Sequence, residues 1–282
     1  MKNHIADRVG EVNNSDNFGA MEIVEYRNSQ SLKVRFLTGS IIKTTYNHFR
    51  DGNVKDPLFP SICGVGYIGF GKHKPNINKK RTKSYIAWKS MIQRCYNPYC
   101  INKGPTYKNA TVCEEWYNYQ VFAEWYENNY YEVPGEKMEL DKDLVVRGNR
   151  IYNPYMCNFV PKPVNLLFKG YGRYSGACPP GVCLNKKLQK YLAQITIDGK
   201  TKYLGLFDDP EEAFRVYKAA KENNVEKTAN KYAYYLPQSV YNYLIKYRVN
   251  MRDNPMYKNN PHCRLEIRSY FLETENGEMR VK

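Results

Sequence analysis

The run from Gly181 to Glu222 constrains the fold more tightly than any other part of the chain, because its turn and capping residues fall where strands and a helix must begin and end. Gly181-Val182-Cys183-Leu184 is a short apolar start, and Lys190 to Ile197 alternates apolar and polar residues as a half-buried strand does. Asp198-Gly199 predicts a type I′ hairpin, since both central positions need positive φ, and the chain returns as Lys202-Tyr203-Leu204-Gly205-Leu206-Phe207. Asp209-Pro210-Glu211-Glu212 is a helix start, with Asp at the N-cap, Pro at the first helical position and Glu at the third. The helix carries Ala213, Phe214, Val216, Tyr217, Ala220 and Lys221. Phe214 and Tyr217, three apart, press onto the sheet and leave its other face to a partner. The expectation for 177–232 is a three-stranded antiparallel sheet with one packed helix.

This order of residues resembles the APETALA-two/ethylene-response-factor type of DNA-binding domain, in the divergent form found in phage and bacterial homing endonucleases. The resemblance is carried by Gly181-Val182, Lys190 to Ile195, Tyr203 to Phe207 and Glu211 to Lys221. It implies double-stranded DNA as partner, with the outer sheet face entering the major groove at Asn185, Gln194, Thr196, Thr201 and Tyr203. The plant members place Arg and Trp on that face, whereas this chain offers Cys183, Asn185, Gln194, Thr196 and Tyr203. Amides facing adenine then replace Arg facing guanine, and Lys186, Lys187, Lys190, Lys200 and Lys202 supply phosphate contacts. A small α/β domain that binds protein is the other reading.

The charge agrees with a polyanionic partner. The 282 residues carry a formal net charge of +15, enough chain for two or three domains. Between Gly71 and Val112 stand Lys72, Lys74, Lys79, Lys80, Arg81, Lys83, Lys89, Arg94, Lys103 and Lys108 with no Asp or Glu, interleaved with Tyr85, Trp88, Tyr96, Tyr99 and Tyr107. Such a stretch neutralises phosphates and makes affinity fall with salt. For 71–83 alone, which includes Lys79, Lys80, Arg81 and Lys83 as candidate DNA contacts, a solvated linker is the competing reading.

Residues 1–70 read as a small β unit. Ala20 to Tyr26, Leu32 to Leu37 and Ile41 to Tyr46 are strand-like, Gly39-Ser40 and Asp51-Gly52 are turns, and the spacing predicts a curled sheet or small barrel ending near Gly64 to Gly69. Tyr26, Arg35, Tyr46, Phe49 and Arg50 are read as core or ordinary surface. The segment 84–170 opens with an amphipathic helix on Tyr85, Trp88, Met91, Ile92 and Cys95. A second helix is predicted from Glu114 to Asn128 with Trp116, Tyr119, Phe122, Trp125 and Tyr126 in its apolar stripe. With all three Trp residues there, this region is expected to hold the main core. In 233–282, Pro237-Gln238-Ser239 introduces a helix on Val240, Tyr243, Leu244 and Tyr247, and Leu265 to Leu272 reads as an edge strand.

No run is long and apolar enough to span a membrane, and the polar N-terminus lacks a signal-peptide core, so an intracellular setting is expected; the resemblance to phage homing endonucleases implies a phage-encoded protein in the cytoplasm of a bacterial host. Eight cysteines then read as reduced thiols. Cys95 with Cys100 and Cys178 with Cys183 have loose zinc spacing without a clear second pair, which favours buried thiols over zinc. Gly-rich phosphate loops, dinucleotide fingerprints and nucleophile elbows are absent from the sequence.

Within the centre, Met138-Glu139-Leu140-Asp141-Lys142-Asp143-Leu144, the run Gly148 to Pro161, and Asn165 are similar to the HNH endonucleases, in which two short strands and a helix hold one divalent metal against the scissile phosphate. By position the resemblance makes Asp141 the metal carboxylate, Asn149 or Asn153 the central Asn, and Asn165 the distal ligand, and it sets Lys142 where the general-base His stands. The only histidines are His4, His48, His73 and His262, outside this motif. Lys142 would need a strongly depressed pKa to act as base, and Asp141 and Asp143 beside it push the other way. A metal site of Asp141, Asp143 and Asn165, binding Mg²⁺ or Mn²⁺ through hard oxygens, avoids the need for His. Equally, Asp141 and Asp143 can simply pair with Lys142 or Arg147 at a strand end. Two functions follow: a metal-dependent endonuclease with a divergent site, or an inactive DNA-binding regulator, or inhibitor, that engages DNA or a DNA-handling protein. The fold class expected is α+β, divided as 1–70, 71–83, 84–170, 177–232 and 233–282.

Overall fold

The computed structural model describes residues 7–15, 17–103, 107–168, 178–254 and 257, with the backbone of 271–273 and 279–281. The chain is mixed α+β, with an antiparallel sheet near the N-terminus and a three-stranded antiparallel sheet toward the C-terminus. It divides into two compact units, 1–130 with 146–157, and 131–145 with 158–282.

In the first unit, β1 (Val12–Ser15), β2 (Gly19–Asn28), β3 (Ser31–Phe36) and β4 (Ile41–Thr44) form a meander in the order β1-β2-β3-β4. β1 and β4 remain edges, so the sheet is open and not the barrel that strand spacing allowed. Met21, Ile23, Leu32, Val34 and Phe36 face a core completed by Phe49. The strand expected to run through Tyr46 stops at Thr44, because the Thr45 hydroxyl accepts from His48 N and caps the short helix α1 (Tyr46–Arg50).

The stretch expected to be a linker contains a hairpin, β5 (Asn76–Ile77) paired with β6 (Lys80–Arg81). Asn78 and Lys79 both take positive φ, 49° and 62°, the pattern of a two-residue I′ turn. Thr82 then caps α2 (Lys83–Tyr96), which buries Trp88, Met91, Ile92 and Cys95 as its period predicts. After α3 (Pro98–Lys103) and β7 (Thr111–Val112), the single helix expected from Glu114 is split into a 3₁₀ turn, Glu114–Tyr117, and α4 (Tyr119–Asn129). Asn118 causes the break: its ψ of 115° is extended, and its side chain accepts from Gln120 N to start a new helix. α2 and α4 meet around Trp88, whose indole donates to Trp116 O at 2.7 Å. β9 (Ile151–Tyr152) pairs in parallel with β7.

In the second unit, β8 (Met138–Asp141) pairs antiparallel with β10 (Asn158–Pro161), and α5 (Lys162–Leu166) follows directly. β11 (Val182–Asn185), β12 (Lys190–Ile197) and β13 (Lys200–Phe207) form the three-stranded sheet. Asp198 and Gly199 take φ of 51° and 76°, giving the expected I′ turn between β12 and β13. Asp209 accepts from Glu212 N at 2.9 Å and caps α6 (Pro210–Lys231), which begins where the sequence places the helix start and runs almost to residue 232, the expected domain end. Ala213 and Phe214 face the sheet, and Val225 and Ala229 extend the same apolar stripe onto α7 (Gln238–Ile245). β14 (Phe271–Glu273) pairs with β15 (Met279–Val281), while 265–270 of the expected edge strand lie outside the described residues.

Apolar packing partitions the chain differently from composition. Leu144, Val160, Val164 and Leu167 of the β8, β10 and α5 region share one core with Val182, Ala193, Phe214, Val225, Val240 and Leu244. The motif that sequence groups with the Trp-rich helices is therefore divided: 138–145 and 158–165 fold around the sheet and α6, while 146–157 stays with the first unit. The Trp-rich helices form one core of the molecule, and this is another.

Candidate nucleic-acid interface and acidic site

The register of the sheet determines which side chains share a face, since directly paired residues point the same way and neighbours along a strand alternate. Gln194 pairs with Tyr203 and Thr196 with Thr201, and all are exposed. Asn185 pairs with Lys190 on the same face. Ala193 and Ile195, one step out of phase, are buried on the α6 side. The face opposite the helix thus carries amides and hydroxyls, and the Thr196 and Thr201 hydroxyls lie 3.3 Å apart. All five positions proposed for base contact share it. Lys202 and Lys200 pair with Ile195 and Ile197, which puts both lysines on the helix side of the sheet.

The charges around this face are partly engaged. Lys190 Nζ lies 3.1 Å from Asp208, and Asn185 Oδ1 accepts from Lys187 N and Leu188 N, which fixes the β11–β12 turn that exposes Lys186 and Lys187. Gln194 and Thr196 also border a cleft of about 510 Å³ whose other wall includes Lys162 and Leu166 of α5, with Asn224 and Thr228 of α6. The three-stranded sheet, α5 and α6 therefore line one cleft.

In that element Glu139 and Asp141, two apart on β8, share a strand face, while Leu140 and Lys142 are buried. Asp141 Oδ1 accepts from Asp143 N at 2.8 Å and Leu144 N at 2.6 Å, turning the chain at the strand end. Burial and the neighbouring Asp143 hold the Asp141 carboxyl above its ordinary value. Lys142 is 7% exposed, and its ammonium lies 3.0 Å from Asp143 Oδ2. Asn165 Nδ2 donates to Glu139 Oε2 at 2.7 Å. Asp143 is thus engaged by Lys142, and Asn165 meets Glu139, a residue the motif comparison passes over; its i, i+2 relation to Asp141 was the available signal. Asn149 belongs to the other unit, where its side chain bonds both the N and the O of Ile151. Asn153 Oδ1 accepts from Tyr155 N and Met156 N in that same unit.

Elsewhere in the first unit, the basic stretch divides into used and presented charges. Arg94 lies over the rings of Tyr107 and Tyr152 at 5.5 and 5.4 Å, and Lys72 pairs with Glu124 at 3.0 Å. Lys79, Lys80 and Arg81 are exposed, and exposed Lys83 lies over the Tyr130 ring at 6.0 Å. Among the described residues, the His, Cys, Asp and Glu group with ligand atoms within 4.8 Å of one another is His73, Glu124 and Glu127. His73 Nε2 faces Glu124 at 2.9 Å and Nδ1 faces Glu127 at 3.1 Å. One imidazole gives a single ion only one nitrogen, so this arrangement clamps the 68–73 segment to α4 and is not a coordination sphere. The cysteines at zinc-like spacing include Cys95, which is buried, and burial raises the Cys178 thiol. Burial likewise pushes Cys113 up to about 11.

Compared with protein-family models, curated proteins and solved structures, the chain finds no match in any of the three.

Proposed function

We propose that this protein binds double-stranded DNA through the face of the β11-β12-β13 sheet turned away from α6. The observation that carries the reading is the exposed set Gln194, Thr196, Thr201 and Tyr203 on one sheet face, flanked by the cationic turn at Lys186 and Lys187. Such a face offers hydrogen bonds to base edges, while the lysines meet phosphates. Fluorescence anisotropy with labelled duplexes tests it. Gln194→Ala combined with Thr201→Ala should weaken binding about tenfold or more while leaving the salt dependence unchanged. A wild-type protein with no affinity for any duplex in dilute buffer overturns the reading and turns attention to a protein partner.

A second reading, metal-dependent phosphodiester cleavage, is favoured by the acidic surroundings of Asp141, whose carboxyl is raised by burial and by Asp143. Mg²⁺ or Mn²⁺ would be held by hard oxygens of Glu139, Asp141 and Asn165, and when bound supplies Lewis acidity toward a phosphoryl oxygen. Against it stands Lys142, a buried ammonium paired with Asp143, which partly neutralises the charge around Asp141 as a cation would. Nicking of plasmid DNA with either metal, lost in Asp141→Ala, would establish cleavage; its absence on every DNA tried leaves the binding function alone.

A further inference from the structure

We propose that the β5–β6 hairpin is a second DNA-contacting element, an arm whose tip enters the major groove with Lys79, Lys80 and Arg81 against phosphates and Ile77 against thymine methyls. The inference rests on the DNA-binding reading above but concerns a different unit of the chain. Every residue from Asn76 to Arg81 is exposed, and Ile77 is 57% exposed. A lone exposed Ile is ordinary. At this place it sits beside a hairpin tip, paired with Lys80, in a sequence that from Gly71 to Val112 holds no acidic residue.

A protein pocket that took Ile77 would have to surround it with acidic groups to match these cations. The duplex groove presents both partners by construction, with phosphates along its walls and apolar thymine methyls on its floor. Width selects the groove: strands about 4.8 Å apart make a ribbon that the roughly 12 Å major groove admits and the roughly 6 Å minor groove does not. The turn itself is informative, because an I′ turn favours glycine at its second position, yet Lys79 occupies it at φ 62° and keeps a cation at the tip.

The arm is also held before any partner arrives. Thr82 N donates to Pro75 O at 3.0 Å across the neck, and the Thr82 hydroxyl caps α2. Gln120 on α4 accepts from His73 N and donates to His73 O, and the His73 ring lies between Glu124 and Glu127. Pre-ordering of this kind lowers the entropy lost on binding.

The test uses the full chain and duplexes containing thymine, or uracil in its place. Lys79→Ala/Lys80→Ala/Arg81→Ala should flatten the plot of log affinity against log salt by about 2.7, the sum for three phosphate contacts. Ile77→Ala should weaken binding to the thymine duplex about threefold to tenfold with an unchanged salt slope, and this difference should vanish on the uracil duplex. A triple variant with the wild-type slope overturns the arm, even if Gln194→Ala weakens binding and upholds the sheet. A flattened slope with an Ile77→Ala variant identical to wild type on both duplexes overturns groove entry. A wild-type protein that binds no duplex overturns the reading on which the arm rests.

Discussion

The ammonium of Lys142 reaches Asp143 Oδ2 at 3.0 Å from a side chain that is almost wholly out of solvent. Its burial follows from strand alternation, since Lys142 continues the inward phase of Leu140 while Glu139 and Asp141 point the other way. A buried positive charge thus sits next to Asp141 and Asp143, the carboxylates expected to hold a metal.

Removing that charge should expose any latent cation affinity. Lys142→Met preserves the buried stem and should strengthen Mg²⁺ or Mn²⁺ binding at least about tenfold, about 1.4 kcal/mol. Isothermal titration of wild type and variant reads this directly. Equal, negligible heats in both would mean that the carboxylates are too scattered to hold an ion.

Asp141 gives a pH signature. Its folded-state pKa is raised, first by burial and then by Asp143, above the ordinary 3.8, so the folded protein binds the proton more tightly than the unfolded chain. The associated stability is fully present below the unfolded value and is lost as pH rises through the folded one. Asp141→Asn keeps an acceptor for Asp143 N and Leu144 N without the titration. The variant should therefore gain on wild type in urea midpoint as pH rises, and be the more stable of the two near about pH 7. A wild-type advantage there would show that the charge itself supports the turn.

Gly181 tests the packing between β11 and α6. It sits at φ 72°, and a Cβ there would fall inside the Tyr217 ring. Gly181→Ala should cost about 2 kcal/mol or more by chemical denaturation, through overpacking and backbone strain together. A loss below about 0.5 kcal/mol would mean the ring swings aside freely.

Gln194 tests base choice. An exposed amide matches adenine N6 and N7, so Gln194→Arg should shift preference toward guanine by about 1 to 3 kcal/mol at one position of a selected site. Unaltered preference in a randomised-duplex selection would remove Gln194 from base contact.

The parts most legible in sequence were those governed by local rules. Asp198-Gly199, Asp209-Pro210 and the spacing of Trp88, Met91, Ile92 and Cys95 each act within a few residues, and the elements they imply are present. Asn118 shows the limit of reading a stripe: the aromatic period runs through Glu114 to Asn128, but one capping amide breaks the helix. The hairpin at Asn76 to Arg81 was hidden because its turn lacks glycine and its strands lack apolar alternation. Core membership was least legible, since Val160 and Val164 could pack on any apolar surface and only the tertiary arrangement assigns them to α6 and the sheet. Around Asp141, the Asn165 to Glu139 bond was not legible because it depends on how α5 is set against β8.

Because Val160, Val164 and Leu167 interlock with Val182, Phe214 and Val225, severing the polypeptide ahead of residue 178 would strip apolar surface from both fragments. Neither the strand pair nor the three-stranded sheet is then a detachable cassette. Grafting this sheet onto another protein would require carrying residues 131–145 and 158–168 along with it.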